Sequence, residues 1–293
     1  MQRQSIVLGT ATPGGGFPLY GEAFAEAVNA ADASLVIETR NTKGSTENVP
    51  LLRAGSVDIA LVQGEVANPA LREPGSGLRI VAAMYSSPGM FVVRGDSADR
   101  TIDDLKGKPV AFGAKGSGLT ILGRTVIDGL GLDADRDFQA IYLDKAGDGP
   151  VMVADGRVAA LWGAGIGWPG FAAVASSPSG ARFIVPDAHA IARILAKYPF
   201  LKPLTVVAGS YPGQESAIQS VGSWSYVLSR PGFDAELAYR LARALHGAEP
   251  ALAARLEQAR ETTAANTAAA APSPDLIHPG VLRYLREIGL AAP

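Results

Sequence analysis

Short apolar runs alternate with amphipathic stretches along most of the chain. The apolar runs have the length of strands, and they predict strands at Ile6–Leu8, Leu35–Thr39, Val57–Val62, Val110–Phe112 and Val158–Trp162. Apolar residues at helical spacing predict helices over Phe17–Ala30, Leu119–Leu130, Ala188–Lys197 and Asp234–His246. Because strands and helices alternate, the pattern predicts an α/β fold with mostly parallel sheets.

Two segments, one beginning at Ile6 and one at Pro109, share a strand, a glycine-rich loop and a helix in that order. Gly16 ends the first loop and Gly118 ends the second. Glycine permits tight turns and a close approach of ligand to backbone. The first N–H groups of a helix lack intrahelical partners and carry partial positive charge. One such junction alone is more often a plain tight connection, but two copies with hydroxyls at Thr10, Thr12, Ser117 and Thr120 favour binding of a carboxylate or phosphate.

A third junction follows the second strand, where a polar loop contains Lys43, Gly44, Ser45 and Thr46. The helix after it contains Pro50, and interior prolines break helices. We therefore expect this helix to start late, with Asn48 as its N-cap and Pro50 in its first turn. The next strand continues into Gln63, at the carboxyl end where open α/β sheets bind ligands.

The motifs of common enzyme classes do not match this sequence. Neither glycine loop fits a phosphate-binding P-loop or a dinucleotide fingerprint, and no G-x-S-x-G nucleophile elbow is present. The chain has no cysteine, and its three histidines are scattered. Asp133, Asp135 and Asp137 imitate the start of a calcium loop, but Phe138 replaces the required glycine. We therefore expect no catalytic residue, no metal site and no cofactor.

Composition narrows the class of partner. The 293 residues are 47% apolar and carry a formal charge of −2, which argues against a generic nucleic-acid binder. No apolar run approaches the roughly 18 residues of a membrane span, so the chain is not expected to be membrane-embedded. The first residues lack the apolar segment of a signal peptide. Either the native protein has none or this is a mature chain.

Six ordered segments resemble the solute receptors of the TAXI type, which serve tripartite (TRAP) transporters. They are LGTATPGGG, KGSTENVPLLRAGSVDIALVQ, TIDDLKGKPVAFGAKGSG, DGRVAALWGAG, YPGQ and IHPGVLRYLREIGL, and the resemblance as a whole runs from Ile6 to Leu290. DLKGK occurs in many binding proteins of this fold, but the ordered set with its terminal HPG…Y…EIG is specific to the family.

The resemblance implies a bilobal type II periplasmic-binding-protein fold, with two α/β lobes joined by crossing strands and a ligand cleft between them. Lobe one would comprise residues 1–93 plus 208–293, and lobe two residues 94–207. The protein would be a periplasmic monomer that captures a small organic anion, such as an amino acid, a keto acid or another carboxylic acid. It would deliver this ligand to the permease subunits of a TRAP-type transporter. The ligand would favour the closed state by contacting both lobes.

The resemblance also assigns candidate binding residues. They are Thr10, Thr12, Gly14, Gly15, Ser45, Asn48, Gln63, Lys115, Gly116, Ser117, Gly118, Trp162 and Gly163. Trp162 is equally well explained as a core residue, and Lys115 as a solvated surface lysine. The chain departs from the family pattern in the first loop, where Gly15-Gly16-Phe17-Pro18 replaces Gly-Thr-Tyr-Tyr, and at Pro50, so the exact ligand does not transfer.

Three other functions fit the same sequence. An ATP-driven importer also uses receptors of this fold, and DLKGK alone would permit that class. A ligand sensor that signals to a membrane partner would bind in the same way. An enzyme on this fold would need a nucleophile–base pair or a metal site, which the sequence does not show.

Overall fold

The structure is a computed structural model that describes residues 3–291. The strands are β1 (Gln4–Gly9), β2 (Leu35–Arg40), β3 (Ile59–Gln63), β4 (Arg79–Arg94), β5 (Pro109–Ala114), β6 (Gln139–Leu143), β7 (Ala160–Ala164), β8 (Ala181–Ile184), β9 (Lys202–Val206) and β10 (Ile218–Ser229). The helices are α1 (Gly16–Ala31), α2 (Ser45–Arg53), α3 (Gly64–Arg72), α4 (Gly118–Gly129), α5 (Ala134–Asp137), α6 (Asp148–Ala154), α7 (Pro169–Ala175), α8 (Ala188–Lys197), α9 (Ala235–Arg255), α10 (Ala264–Ala270) and α11 (Pro279–Glu287). The alternation confirms the predicted α/β class.

The described chain forms two compact units. Unit 1 contains the residues up to Ala11, Phe17–Tyr85 and those from Trp224 onward. Unit 2 contains Thr12–Gly16 and Ser86–Ser223. Each of the long strands β4 and β10 contributes residues to both units. The lobe division predicted from the sequence, 1–93 plus 208–293 and 94–207, stays a prediction about the functional halves of the protein.

Each unit has a parallel sheet core with antiparallel additions. In unit 1, β1 lies between β2 and β3, which both run parallel to it, and β3 pairs antiparallel with the second half of β10. In unit 2, β5 lies between the parallel strands β6 and β7. There β4 pairs antiparallel with β7 and β8, and β9 pairs antiparallel with β10. The sheets are thus more mixed than the sequence predicted.

The sequence analysis missed β4 because its pattern has no polar face. The strand has 16 residues, and all of them except the two ends are buried. Ser86, Ser87, Pro88 and Gly89 interrupt its apolar run, so neither alternation nor a continuous apolar stretch marks it. A strand that is covered on both faces is determined by its neighbours rather than by local periodicity.

Helix α1 confirms the predicted helical spacing after the first glycine loop. Tyr20, Phe24 and Val28 are fully buried, and they pack with Ile6 and Leu8 of β1. In unit 2 the matching helix α4 buries Leu122 and Val126. The two strand–loop–helix junctions therefore exist as predicted, one beginning from β1 and one from β5.

The prediction for the start of α2 was wrong. The helix begins at Ser45, after Gly44 with a φ of 108°, and Asn48 and Pro50 both lie inside it. The N–H of Asn48 already donates to the carbonyl of Gly44 at 2.9 Å, which places Asn48 beyond the cap position. A buried side chain at Asn48 stabilises this helix from the sheet, so the hydrogen bond that Pro50 cannot make is tolerated.

His278 fixes the start of α11, before its first residue Pro279. Its Nε2–H donates to the carbonyl of Phe233 at 3.0 Å, and its Nδ1 accepts from the N–H of Gly280 at 3.2 Å. The contact at Nδ1 requires the neutral imidazole, because the protonated ring has no acceptor nitrogen. Burial is the main reason that the pKa of His278 lies below its usual range.

We predict that this histidine makes folding sensitive to mild acid. The unfolded chain takes up the proton at about pH 6.5, whereas the folded chain resists it, so stability is lost as pH falls through about 6.5. The free energy of unfolding in urea should fall from pH 7 to pH 5 less steeply in His278→Gln than in the wild type. His189→Gln changes an exposed histidine and should keep the wild-type slope. Equal slopes in all three proteins would contradict the assignment.

Candidate functional site

Thr10 lies at the carboxyl end of β1 and is fully buried. Its hydroxyl donates to the carbonyl of Arg40 at 3.1 Å and is 3.3 Å from Oδ1 of Asn41, just after β2. Its own carbonyl accepts from the hydroxyl of Thr42 at 3.1 Å. Thr10 therefore connects the ends of β1 and β2, and its hydroxyl already donates its proton to a group within unit 1.

Asn48 of α2 is fully buried and connects the helix to the sheet. Its Nδ2 donates to the carbonyl of Thr10 at 2.8 Å and to the carbonyl of Leu61 at 2.7 Å. Its Oδ1 is buried and has no hydrogen-bond partner. One side chain thus bridges the ends of β1 and β3 and leaves an acceptor at the same edge of the sheet.

Ser45 and Gln63 complete this edge. The hydroxyl of Ser45, at the start of α2, accepts from the N–H of Gln63 at 3.0 Å. Gln63 is 3% exposed, and its Nε2 is buried without a hydrogen-bond partner. A buried polar atom without a partner is costly and uncommon. The carboxyl edge of the unit 1 sheet therefore combines an unpaired acceptor on Asn48 with an unpaired donor on Gln63.

Glu65 is a residue that the sequence analysis missed at this edge. It follows Gln63 and Gly64 at the start of α3 and is 6% exposed. Its charge is one of the reasons, after burial, that the pKa of Tyr226 is raised to about 12. The tripeptide QGE directly after a buried strand is the signal that could have identified it.

The glycine loop of unit 2 is held by its own polar groups. Gly116 has a φ of 78°, which favours glycine. Ser117 caps α4, since its hydroxyl accepts from the N–H of Leu119 at 3.1 Å, and the buried Gly118 is the first residue of the helix. Nζ of Lys115 lies 3.1 Å from the carboxylate of Asp144, and both side chains are largely exposed. The positive charge of Lys115 is therefore paired with the solvated carboxylate of Asp144.

The first glycine loop packs within unit 2. Gly14 has a φ of 84°, and a Cβ there would lie 2.8 Å from the backbone of Gly147. Gly15 is buried, and its N–H donates to the carbonyl of the half-buried Thr12 at 3.4 Å. Both the backbone angle and the close approach require glycine at position 14.

Trp162 lies in the core of unit 2. It is fully buried, its ring meets that of Phe91 edge-on at 4.8 Å, and its Nε1–H donates to the carbonyl of Leu119 at 2.9 Å. The adjacent Gly163 is buried, and a Cβ there would lie 2.5 Å from the ring of Trp168. Trp162 therefore supports the first turn of α4 from behind, and contact of its indole with a ligand stays a prediction.

Neither metal-ligand clusters nor membrane spans stand out in the described part of the chain. Within residues 3–291, no three His, Asp or Glu side chains converge in a way that could hold a metal ion. Every helix in the same range is too short or too polar to serve as a membrane span.

A family model covers nearly all of the chain. The model of the NMT1-like family matches residues 8–289, from β1 through the end of α11. The chain belongs to the NMT1-like family. The match contains all three glycine or polar loops and every candidate binding residue named above.

Solved structures similar to this NMT1-like protein are solute-binding proteins. The periplasmic binding protein BugD superposes with a TM-score of 0.57 at 13% identity, covering 87% of this chain and 86% of its own. The substrate binding protein of an amino acid ABC transporter has a TM-score of 0.53 at 16% identity, covering 86% and 99%. The alkanesulfonate-binding protein SsuA from Xanthomonas axonopodis pv. citri, bound to MOPS, has a TM-score of 0.52 at 18% identity, covering 98% and 84%. The fold of the NMT1-like chain is thus that of periplasmic solute-binding proteins, as the sequence predicted.

We predict that Asn48 contributes strongly to the stability of unit 1. Asn48→Ala leaves the carbonyls of Thr10 and Leu61 buried without that donor, so the free energy of unfolding should fall by about 1–3 kcal/mol. Gln219→Ala removes an exposed amide and serves as the control. Urea denaturation measures both variants. Equal stability of Asn48→Ala and the wild type would show that the bridge does not hold the sheet edge.

Proposed function

We propose that this protein is an extracytoplasmic receptor that captures a small organic anion and delivers it to a membrane transporter. The ligand class is an amino acid, a keto acid or another carboxylic acid. The NMT1-like family membership and the periplasmic-binding-protein fold support a receptor rather than an enzyme. The amino-acid and alkanesulfonate receptors of similar fold bind small molecules that carry an acidic group.

The observation that supports the anion most directly is the start of α2. Gly44 precedes this helix and offers no side-chain cap, and Glu47, the acidic residue of its first turn, accepts from the N–H of Lys43 outside the helix. The unpaired Nε2 of Gln63 adds a second donor at the same sheet edge. Donors at a helix start are suited to a carboxylate, and the uncharged amide of Gln63 is suited to a neutral polar group of the ligand.

Each unit contains a set of the proposed binding residues. Unit 1 contributes Thr10, Ser45, Asn48 and Gln63, and unit 2 contributes Thr12, Gly14, Gly15, Lys115, Gly116, Ser117, Gly118, Trp162 and Gly163. Within these sets the glycines would let the ligand approach the backbone closely, and Ser117 and Thr12 would present hydroxyls. Thr10, Asn48 and Trp162 would act mainly by holding the loops in place, because their donor groups already bond to the protein.

The partner that we propose is a TRAP-type permease, with the protein as a TAXI-type receptor. The ordered motifs from LGTATPGGG to IHPGVLRYLREIGL support this assignment. An ABC importer is the second candidate, since similar structures include the substrate binding protein of an amino acid ABC transporter. Cross-linking the ligand-loaded receptor to native membranes separates the two. Recovery of a permease without an ATP-hydrolysing subunit fits the TRAP type, and recovery with that subunit would overturn it.

We predict that native mass spectrometry of the purified protein detects a bound small molecule. Denaturation should release an amino acid, a keto acid or another carboxylic acid, identified by its mass. Protein denatured and refolded before the measurement is the control, and it should carry no ligand. Release of a nucleotide or of a neutral lipid would contradict a small-anion site.

We predict that Thr12→Ala combined with Ser117→Ala weakens binding of the released ligand. Loss of buried hydrogen bonds should cost about 1–3 kcal/mol, measured by isothermal titration calorimetry. The matched control is Ser176→Ala combined with Thr205→Ala, which removes one serine and one threonine hydroxyl from exposed positions of unit 2. Unchanged affinity in the first double variant would show that the ligand binds elsewhere.

A further inference from the structure

Gln258 is a buried amide that the proposed site does not include. It lies on a 3-10 helix, Glu257–Glu261, that follows α9 in unit 1, and it is 2% exposed. Both its Nε2 and its Oε1 are buried without a hydrogen-bond partner. A buried amide that uses neither its donor nor its acceptor destabilises the fold. Its retention in a packed core indicates a role other than stability.

Tyr20 provides a further acceptor close to this segment. The hydroxyl of Thr262 donates to the carbonyl of Met84 at 2.7 Å. Because that proton is used, the 3.0 Å contact between Tyr20 and Thr262 must be donated by the tyrosine hydroxyl. The oxygen of Tyr20 is therefore left to accept. Burial raises the pKa of Tyr20, so the group stays neutral.

Gln63 faces the same side of the sheet as Tyr20. Successive residues of a strand point to opposite faces, and Ile59 and Leu61 of β3 belong to the core that contains Tyr20. Ala60 and Val62 belong to the core on the other face. Gln63 lies two residues after Leu61 and therefore points to the same face as Ile59 and Leu61. Its unpaired Nε2 projects toward the side covered by α1 and by the segment of Gln258.

The polar groups on this face are neutral. Tyr85 packs edge-on against Tyr20 with ring centroids 5.6 Å apart, and burial raises its pKa as well. The buried carboxylate of Glu65 acts on Tyr226, which belongs to the core on the opposite face. An ionised ligand group would lose its hydration here without gaining a counter-charge, whereas an uncharged polar group would not.

We propose that Gln258, Gln63 and Tyr20 form a neutral polar subsite that binds a second, uncharged group of the ligand. That group both donates and accepts hydrogen bonds, as a hydroxyl or a primary carboxamide does. The inference rests on the proposed function and narrows its ligand class. The acid would be bound at the start of α2, and the substituent by the amides and the tyrosine on the α1 side of the unit 1 sheet.

Two pairs of probes test the subsite by calorimetry. L-glutamine is compared with L-norvaline, and lactate with propionate, because each pair shares the carboxylate and differs chiefly in the second polar group. The wild type should bind at least one polar member about tenfold or more tighter than its apolar partner. Binding of both members of each pair with equal affinity would reject the subsite without contradicting the proposed receptor function. Binding of none of the four acids by the wild type would contradict the small-acid receptor itself.

Gln258→Met identifies the residue responsible. The variant should lose the preference for the polar member, while the melting temperature of the ligand-free protein stays equal or rises, because an unpaired amide has been removed from the core. A retained preference with a lowered melting temperature would show that Gln258 serves the fold alone, for instance through a buried water.

Tyr20→Phe provides a second variant if Gln258→Met does not fold. It keeps the ring contact with Tyr85 and removes the accepting oxygen, so the preference for the polar probe should fall. Tyr226→Phe is the matched control, since Tyr226 is also a buried tyrosine whose hydroxyl donates, to the carbonyl of Ala270 at 2.8 Å, but on the other face. A loss of preference in Tyr226→Phe equal to that in Tyr20→Phe would overturn the placement of the subsite.

Discussion

The bridge made by Asn48 fixes the geometry of unit 1. Its amide donates to the ends of β1 and β3 at once, so α2 cannot move without breaking two buried hydrogen bonds. The position of α2 against the carboxyl ends of β1 and β3 depends on these two bonds. This explains why an asparagine is fully buried in the helix and why the helix tolerates Pro50. The sequence predicted Asn48 as the N-cap of α2, but its amide connects the helix to two strands of the sheet.

Unit 2 places its glycine loop by a different interaction. There the indole of Trp162 holds the first turn of α4 from the core, and Gly163 allows Trp168 to pack directly behind the same strand. The loop itself is exposed at Lys115 and ordered by the cap at Ser117. One junction is therefore fixed by a buried amide and the other by a buried aromatic ring. Each junction leads from a strand into the start of a helix, the feature on which the proposed anion binding rests.

Unit 1 retains several polar atoms that lower its stability. Asn48, Gln63 and Gln258 all have buried amide atoms without hydrogen-bond partners. Apolar residues of similar size at these three positions would stabilise the fold more. The presence of amides there therefore supports the proposed role in ligand binding. In the proposed receptor, a ligand that forms hydrogen bonds with these atoms would recover the free energy that their burial costs the fold.

The sequence by itself determined the α/β class, the two strand–glycine loop–helix junctions and the helical spacing of Tyr20, Phe24 and Val28, because these depend on local periodicity and on glycine. It also indicated the loops at which the candidate residues lie. Only the tertiary structure decided the start of α2, the doubly buried strand β4 and the partners of Asn48, since each depends on residues distant along the chain. The same holds for Gln258, whose burial and unpaired amide follow from packing rather than from any sequence motif.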